Sequence, residues 1–510
     1  MKEKPSDADK NLMSRVSRFF QVVSCDFHYF LINFRLMVAK DNYLKILILL
    51  TITGLILRLW HIGDISFWFD ETLTSEFSRQ SFFGIANMSK DSVNPPTFYV
   101  IEHVMLYFGA GETIVRLVPA LVGTCTIPVF YLLGREFNNR KTGIVAATLL
   151  TFSSFHIYYS QEARPYTLLL FCFSLALLFY LHALSTDTRR TWLLFGVFSA
   201  LSCWMHFFGF VMVLPLFILA LFYKFYSGKT SIKDLKPVIL AGAICFLFSL
   251  PMLLVSLHAG ISKVAQDESW GVRGITVITS TIGDMSGQYY VGVIILSLLF
   301  LLGLVQMFYH DRQKFLLITV AFALPLLITV VLSYRMAIVS RYLIGLLHFF
   351  FLGISYSFSS IYRHKSRVRL SCIIIFLLIA LCIPSLYFYY SADSKYGHDW
   401  KGLSPELNNL TGIDDMILVY PGYHITPLTY YYPNGTDHTF VYGVENKMDL
   451  EGIVVRYPDR NTILIVVDSS NQNPAGEIGA WIKTHAVLVK KHEGLYLFRI
   501  NNSSNPVISE

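Results

Sequence analysis

Apolar residues in this chain come in long runs separated by short polar stretches over the first four-fifths of its length. The runs fall at 43–60, 113–134, 142–158, 166–184, 192–207, 208–223, 237–257, 291–309, 315–333, 342–361 and 370–390. Most approach the roughly 18–22 residues that a helix needs to cross a bilayer, so the pattern predicts eleven membrane-spanning helices with the two chain ends on opposite sides. After residue 390 the pattern changes. Short strand-like runs at 416–420, 439–442, 462–467, 486–489 and 495–499 alternate with stretches such as 404–410 and 476–484 that suit helices. This predicts a small α/β domain, for which roughly 120 residues supply one core. The segment 61–112 stands apart: 97–108 is apolar but too short to span, and Trp68, Phe69, Phe77, Phe82 and Phe83 among polar residues suit helices lying in the headgroup layer.

Composition agrees. Of 510 residues 54% are hydrophobic and 15% charged, with a mean hydropathy of +0.51. A soluble protein carries about a quarter charged residues, so a soluble enzyme, a disordered scaffold and a secreted disulfide protein are excluded. The net charge of +7 does not form a continuous basic face. Instead Arg135/Arg140/Lys141, Arg189/Arg190, Lys224/Lys229/Lys233/Lys236, Arg312/Lys314 and Arg363/Lys365/Arg367/Arg369 occupy alternate loops, on the same side as the basic N-terminal segment. Lysine and arginine mark the cytoplasm. The expected organisation is a cytoplasmic segment 1–42, a transmembrane module 43–390 with 61–112 as its first external loop, and an external domain 391–510. Some 40 mixed residues precede the first run, unlike a cleavable signal. Five Asn-x-Ser/Thr sequons (Asn87, Asn409, Asn434, Asn501, Asn502) fall in segments read as external. The seven cysteines form no CxxC pair and read as buried thiols.

Charge at the membrane boundary is costly unless used or paired, and four places on the external side carry it. Asp70 and Glu71 follow three aromatics; the plain reading is a solvated pair capping a surface helix. Glu162 and Arg164 share the tight turn 159–165; the plain reading pairs them with each other. Arg116 lies one turn into a span, where it could snorkel outward. Arg335 and Arg341 occupy an external turn against the positive-inside trend, which points to a bound anion. His206 ends a span, where a lone histidine is more often structural than a ligand. Carboxylates and arginines together suit displacement of a phosphate leaving group, with a carboxylate as base and cations on the departing oxygens. A lipid-phosphate donor would explain the many spans.

Four motifs in order carry a resemblance: Asp70-Glu71; Asn94-Pro95-Pro96 before Phe98-Tyr99; Arg116 through Leu121 followed by Gly134-Arg135; and Tyr159 through Tyr166. Over roughly 55–210 the chain resembles the GT-C membrane glycosyltransferases, in the group of protein O-mannosyltransferases and lipid A aminoarabinose transferases. Arg341-Tyr342-Leu343 and His398 through Lys401 resemble its bacterial and archaeal members. The resemblance implies inverting transfer of one sugar from a polyprenyl- or dolichyl-phosphate donor to a glycan, lipid or protein hydroxyl, on the outer face of what would be a prokaryotic plasma membrane. It implies Asp70 as general base with Glu71 beside it, Glu162 in the second-loop motif, and Arg116, Arg164, Arg341 and Tyr166 around the donor phosphate. His206 matches a histidine that some members use toward a divalent metal. Asn94 stands where relatives carry glutamate or histidine, and an amide is a poorer zinc ligand, which leaves metal dependence open. A lipid or glycan transporter is the alternative; it predicts ionisable groups near the midplane and repeat symmetry, whereas these crowd one boundary. A non-catalytic assembly protein would tolerate loss of Asp70.

Overall fold

The computed structural model of the chain describes residues 41–88, 95–264, 271–358, 368–391, 398–412, 414–433, 440–467 and 476–500. Most of the N-terminal segment, Asn94, the basic loop 363–367 and the sequons at Asn434, Asn501 and Asn502 lie outside these residues. The helices are α1 (Asn42–Leu59), α2 (Phe69–Ser78), α3 (Phe82–Met88), α4 (Thr97–Met105), α5 (Glu112–Phe137), α6 (Arg140–Thr151), α7 (Ser154–Ser160), α8 (Tyr166–Thr186), α9 (Arg189–Met205), α10 (Phe208–Tyr226), α11 (Ile232–Val264), α12 (Thr276–Met285), α13 (Tyr290–His310), α14 (Arg312–Leu332), α15 (Leu347–Ser357) and α16 (Val368–Ser391).

Among the described residues eight helices, α1, α5, α8, α10, α11, α13, α14 and α16, are long and apolar enough to cross a membrane. The other three predicted runs are shorter or broken. Run 192–207 is α9, of 17 residues. Run 142–158 divides into α6 and α7, because Ser153 leaves helical geometry and its hydroxyl accepts the His156 N–H to start a new helix. Run 342–361 begins as a 3-10 turn (Ser340–Leu346) and is α-helical only from Leu347 to Ser357.

Leu49, Ile52 and Ile56 of α1, Phe246, Leu247 and Phe248 of α11, and Ile294, Leu298 and Leu301 of α13 are exposed. Apolar surface on this scale suits lipid rather than water. At the centre α5 and α6 pack backbone to backbone: a Cβ on Gly143 would sit 2.4 Å from the Tyr131 carbonyl oxygen, and one on Gly134 2.7 Å from the Gly143 Cα. Small residues permit such contact where no hydrophobic drive between helices exists. Among the described residues, the basic loops around Arg135–Lys141, Arg189–Arg190, Lys224–Lys236 and Arg312–Lys314 share one end of the bundle. There Asp41 pairs with Arg140, Asp187 with Lys224 and Lys229, and Lys314 lies over Phe137 and Tyr356.

The C-terminal part is a three-layer α/β unit. Its strands are β1 (Met416–Tyr420), β2 (Phe440–Gly443), β3 (Thr462–Val467), β4 (Ala486–His492) and β5 (Leu495–Ile500), in the order β2-β1-β3-β5-β4. β1 runs parallel to β2 and β3; β5 is antiparallel to β3 and β4. Alternate residues feed opposite faces. Ile417, Val419, Ile463 and Ile465 pack with α17 (Trp400–Leu410) and α18 (Ile425–Tyr431). Leu418, Leu464 and Val466 pack with α19 (Lys447–Arg456) and α20 (Glu477–His485). This unit grips the segment before α2. Tyr431 Oη accepts the Phe67 N–H at 2.7 Å and donates to Glu112 at 2.9 Å. Ser66 donates to Asp399 at 2.9 Å, and the Phe67 ring meets Tyr430 edge-on.

Candidate functional site

The sheet-unit contacts fix where α2 begins. Trp68 is extended and holds the N-cap position, so Asp70 and Glu71 lie in the first turn and neither is the cap. A helix N-terminus favours acid there. Consecutive helical positions face about 100° apart, and the two carboxylates diverge accordingly.

Glu71 turns inward and is fully buried. Its oxygens take Arg116 Nε at 2.7 Å and Nη2 at 2.6 Å, and Oε1 also accepts the Ala163 N–H at 2.8 Å. Arg116 spends its remaining donors on the carbonyls of Ile62, Ile65 and Ser66 and lies over the Phe67 ring. It does not snorkel: it is 1% exposed and locked to the first loop.

Asp70 turns the other way and keeps 18% of its side chain exposed. Arg341 Nη2 reaches its Oδ2 at 3.2 Å and Arg164 Nη2 stands 3.7 Å from the same oxygen. Arg164 also touches Thr74 Oγ1 and the Asp70 carbonyl. Arg341 is framed by the rings of Trp68 and Tyr166, 5.2 and 5.6 Å from its guanidinium carbon. Arg164 Nε and Arg341 Nε are buried without a hydrogen-bond partner, which leaves donors aimed at no protein group.

The turn carrying Glu162 and Arg164 is held by Gln161, whose amide donates to the carbonyls of Leu57, Arg58 and Trp60 at the end of α1. Tyr389 Oη donates to the Gln161 oxygen at 2.6 Å. Arg164 therefore points to Asp70, and the expected Glu162–Arg164 pair does not form. Glu162 is fully buried and both its oxygens lack a partner. Burial pushes its carboxyl up to about 8; Arg341 and Arg164 oppose the shift, Glu71 and Asp70 add to it. A second such acid is Glu102 on α4. It is fully buried without a partner, and burial, with Glu71 nearby, pushes it up to about 9. Its signal was a single acid inside the apolar stretch 97–108.

The Glu162 shift has a definite sign. Between the ordinary carboxylate range and about 8, the folded chain holds a proton that the unfolded chain has released, so stability declines as pH rises through that interval. Glu162→Gln, which cannot ionise, should melt above wild type at about pH 9 and close to it at about pH 5. Glu102 contributes equally to both proteins and cancels. The same melting difference at both pH values would show that Glu162 is ionised in the folded state.

No three His, Cys, Asp or Glu side chains among the described residues gather closely enough to hold a metal. His206 Nδ1 accepts the Phe208 N–H at 3.2 Å, and its ring packs among Tyr166, Phe208 and Tyr342. Asn94 lies outside the described residues. The described donor set does not fit a metal centre.

Residues 92–255 match the family described as dolichyl-phosphate-mannose-protein mannosyltransferase. No curated protein sequence matches the chain. Among solved structures, ArnT from Cupriavidus metallidurans in the apo state aligns with a TM-score of 0.59 and 12% identity, over 90% of this chain and 98% of that one. The same protein bound to undecaprenyl phosphate aligns at 0.58 with 12% identity and the same coverage. The Archaeoglobus fulgidus oligosaccharyltransferase in the apo form aligns at 0.53 with 13% identity, over 91% of this chain and 75% of that one. With an apolar helical bundle, a small α/β unit at its C-terminal end and these matches, the chain is a membrane protein of the GT-C glycosyltransferase fold.

Proposed function

We propose that this chain is an inverting glycosyltransferase that moves one sugar from a polyprenyl- or dolichyl-phosphate donor to a hydroxyl on a glycan, lipid or protein acceptor. The observation that carries the reading is Asp70, a reachable carboxylate gathered by the buried Arg164 and the half-buried Arg341, both of which keep unpartnered Nε–H groups. The acceptor oxygen attacks C1 of the sugar while the C1–O bond to phosphate breaks. Its proton passes to Asp70, and the bonding electrons leave on the phosphate, whose charge Arg164 and Arg341 meet. A single displacement inverts C1. The Tyr166 ring lies against the Arg341 guanidinium, beside the donor phosphate in this reading. Undecaprenyl phosphate bound to ArnT supports a polyprenyl donor.

In this reading Glu71 and Arg116 build the site rather than touch substrate, and Glu162 is a neutral acid that lowers the local negative charge toward the phosphate. Residues 43–390 form the catalytic module with eleven spans. The basic end faces the cytoplasm, and 61–112 and 391–510 face outward, in keeping with the charge distribution of the loops.

The test uses purified protein in lipid with a panel of polyprenyl-phosphate sugars and cell-envelope extract as acceptor, following release of polyprenyl phosphate. Release with no donor in the panel, when the host's own donor is included, would defeat the reading. Arg341→Gln should weaken binding of undecaprenyl phosphate about tenfold or more, since hydrogen bonds to charged groups contribute about 1.5–3 kcal/mol. Unchanged affinity would remove Arg341 from the phosphate site.

A further inference from the structure

A cavity of about 320 Å³ lies between α7, α12 and α16, lined in part by Tyr158, Tyr159, Asp284, Gln288, Phe388 and Tyr389. It adjoins the site through one residue step: Ser340, next to Arg341, donates its hydroxyl to Asp284. None of the residues named so far in the reaction forms its wall.

The lining is mixed in a particular way. α7 and α16 supply aromatic rings, with Tyr158 contacting both Tyr159 and Tyr389 edge-on. α12 and the turn after it supply a carboxylate and an amide, and Gln288 donates to Asp284. That turn is unusual. Gln288 has φ +60°, a left-handed conformation that non-glycine residues seldom take. Gly287, with φ +84°, leaves no room for a Cβ, which would sit 2.3 Å from Ser385 Oγ.

An isoprenoid chain here would cover with hydrocarbon a carboxylate that has only Ser340 and Gln288 as donors, leaving its further lone pairs unused. A phosphate would face the Asp284 carboxylate, a repelling charge. A pyranose or furanose ring satisfies both halves: its C–H face lies on the rings, and its hydroxyls donate to a carboxylate that is an acceptor only. The volume falls within the range of small-ligand pockets, about 300–1,000 Å³.

We propose that this cavity is a sugar-ring subsite in which Asp284 and Gln288 bind hydroxyls and Tyr158 and Tyr389 wall the ring, beside the reacting centre. The inference rests on the transferase reading for its purpose but not for its test, because sugar binding is measured without turnover. The ring belongs either to the donor or to the acceptor, and the two are separable.

Wild type, Asp284→Asn, Asp284→Leu and Gln288→Ala are compared in lipid nanodiscs for equilibrium binding of undecaprenyl phosphate, of undecaprenyl phosphate carrying mannose or glucose, and of envelope oligosaccharides. If the donor sugar occupies the subsite, wild type prefers a sugar-bearing lipid to the bare one. Asp284→Asn and Gln288→Ala then lose that preference by about tenfold or more, with bare-lipid affinity unchanged. If the acceptor ring occupies it, the same variants lose oligosaccharide binding by a similar factor and keep the lipid preference. Equal binding of every probe by wild type and variants overturns the proposal, as does tighter binding of bare undecaprenyl phosphate by Asp284→Leu, which would mark a lipid slot. A protein that binds sugar but never transfers it would defeat the transferase reading and leave the subsite standing.

Discussion

Asp70→Asn is expected to lose turnover by about 10²–10⁴-fold, the usual worth of a general base, while binding of undecaprenyl phosphate stays or tightens. The substitution keeps the size of the side chain and removes its ability to take the acceptor proton. It also removes the anion that Arg164 and Arg341 now face at 3.7 and 3.2 Å, so an incoming phosphate meets less competition. Donor binding and release of polyprenyl phosphate, measured on the same preparation, separate the two effects. Wild-type release from the variant would end the base assignment; loss of donor binding together with turnover would make Asp70 a structural counter-ion instead.

The second large effect is structural. Glu71 and Arg116 form a buried ion pair, at 0% and 1% exposure, joined by two short hydrogen bonds. Removing one partner of such a pair typically costs about 3–5 kcal/mol, because the other is left charged and dry. Arg116→Ala or Glu71→Ala should therefore sharply reduce the yield of folded protein and its melting temperature. Arg116→Lys should not restore it, since an ammonium cannot reproduce the forked contact or reach three carbonyls in the same geometry. Arg116→Ala protein with wild-type melting and weakened undecaprenyl phosphate binding would return Arg116 to the donor site, where the resemblance put it.

What could be read from the sequence follows from the range of the forces involved. The strands of the C-terminal unit were visible because β1 and β3 are buried on both faces and so read as unbroken apolar runs, Met416 to Val419 and Thr462 to Val467. α18 and α19 were not singled out; α19 has few apolar positions, with Leu450 its one fully buried residue. The break between α6 and α7 depends on the Ser153 hydroxyl taking a local N–H inside an apolar run, a small polar signal that hydropathy averages away. Asp70, Arg164 and Arg341 stand out in the sequence as charge on one boundary that a single site would use, but which acid each arginine meets does not. Arg164 meets Asp70 across 94 positions and Arg341 across 271, and the nearer candidate, Glu162, lost because the turn that Gln161 and Ala163 hold points it elsewhere. Asp284 and Glu102 passed unnoticed because a lone acid in a mostly apolar helix gives no hint of what will surround it.

The grip of the C-terminal unit on the first loop bears on the order in which the site is made. Ser66 and Phe67 take their hydrogen-bond partners from Asp399 and Tyr431, 333 and 364 positions further along the chain. During synthesis the stretch leading into Asp70 thus leaves the ribosome long before the residues that fasten it. A shortened product ending between Arg341 and Asp399 carries both arginines and the carboxylate but lacks the fastening, so the last-made part of the polypeptide decides when its first-made loop is complete.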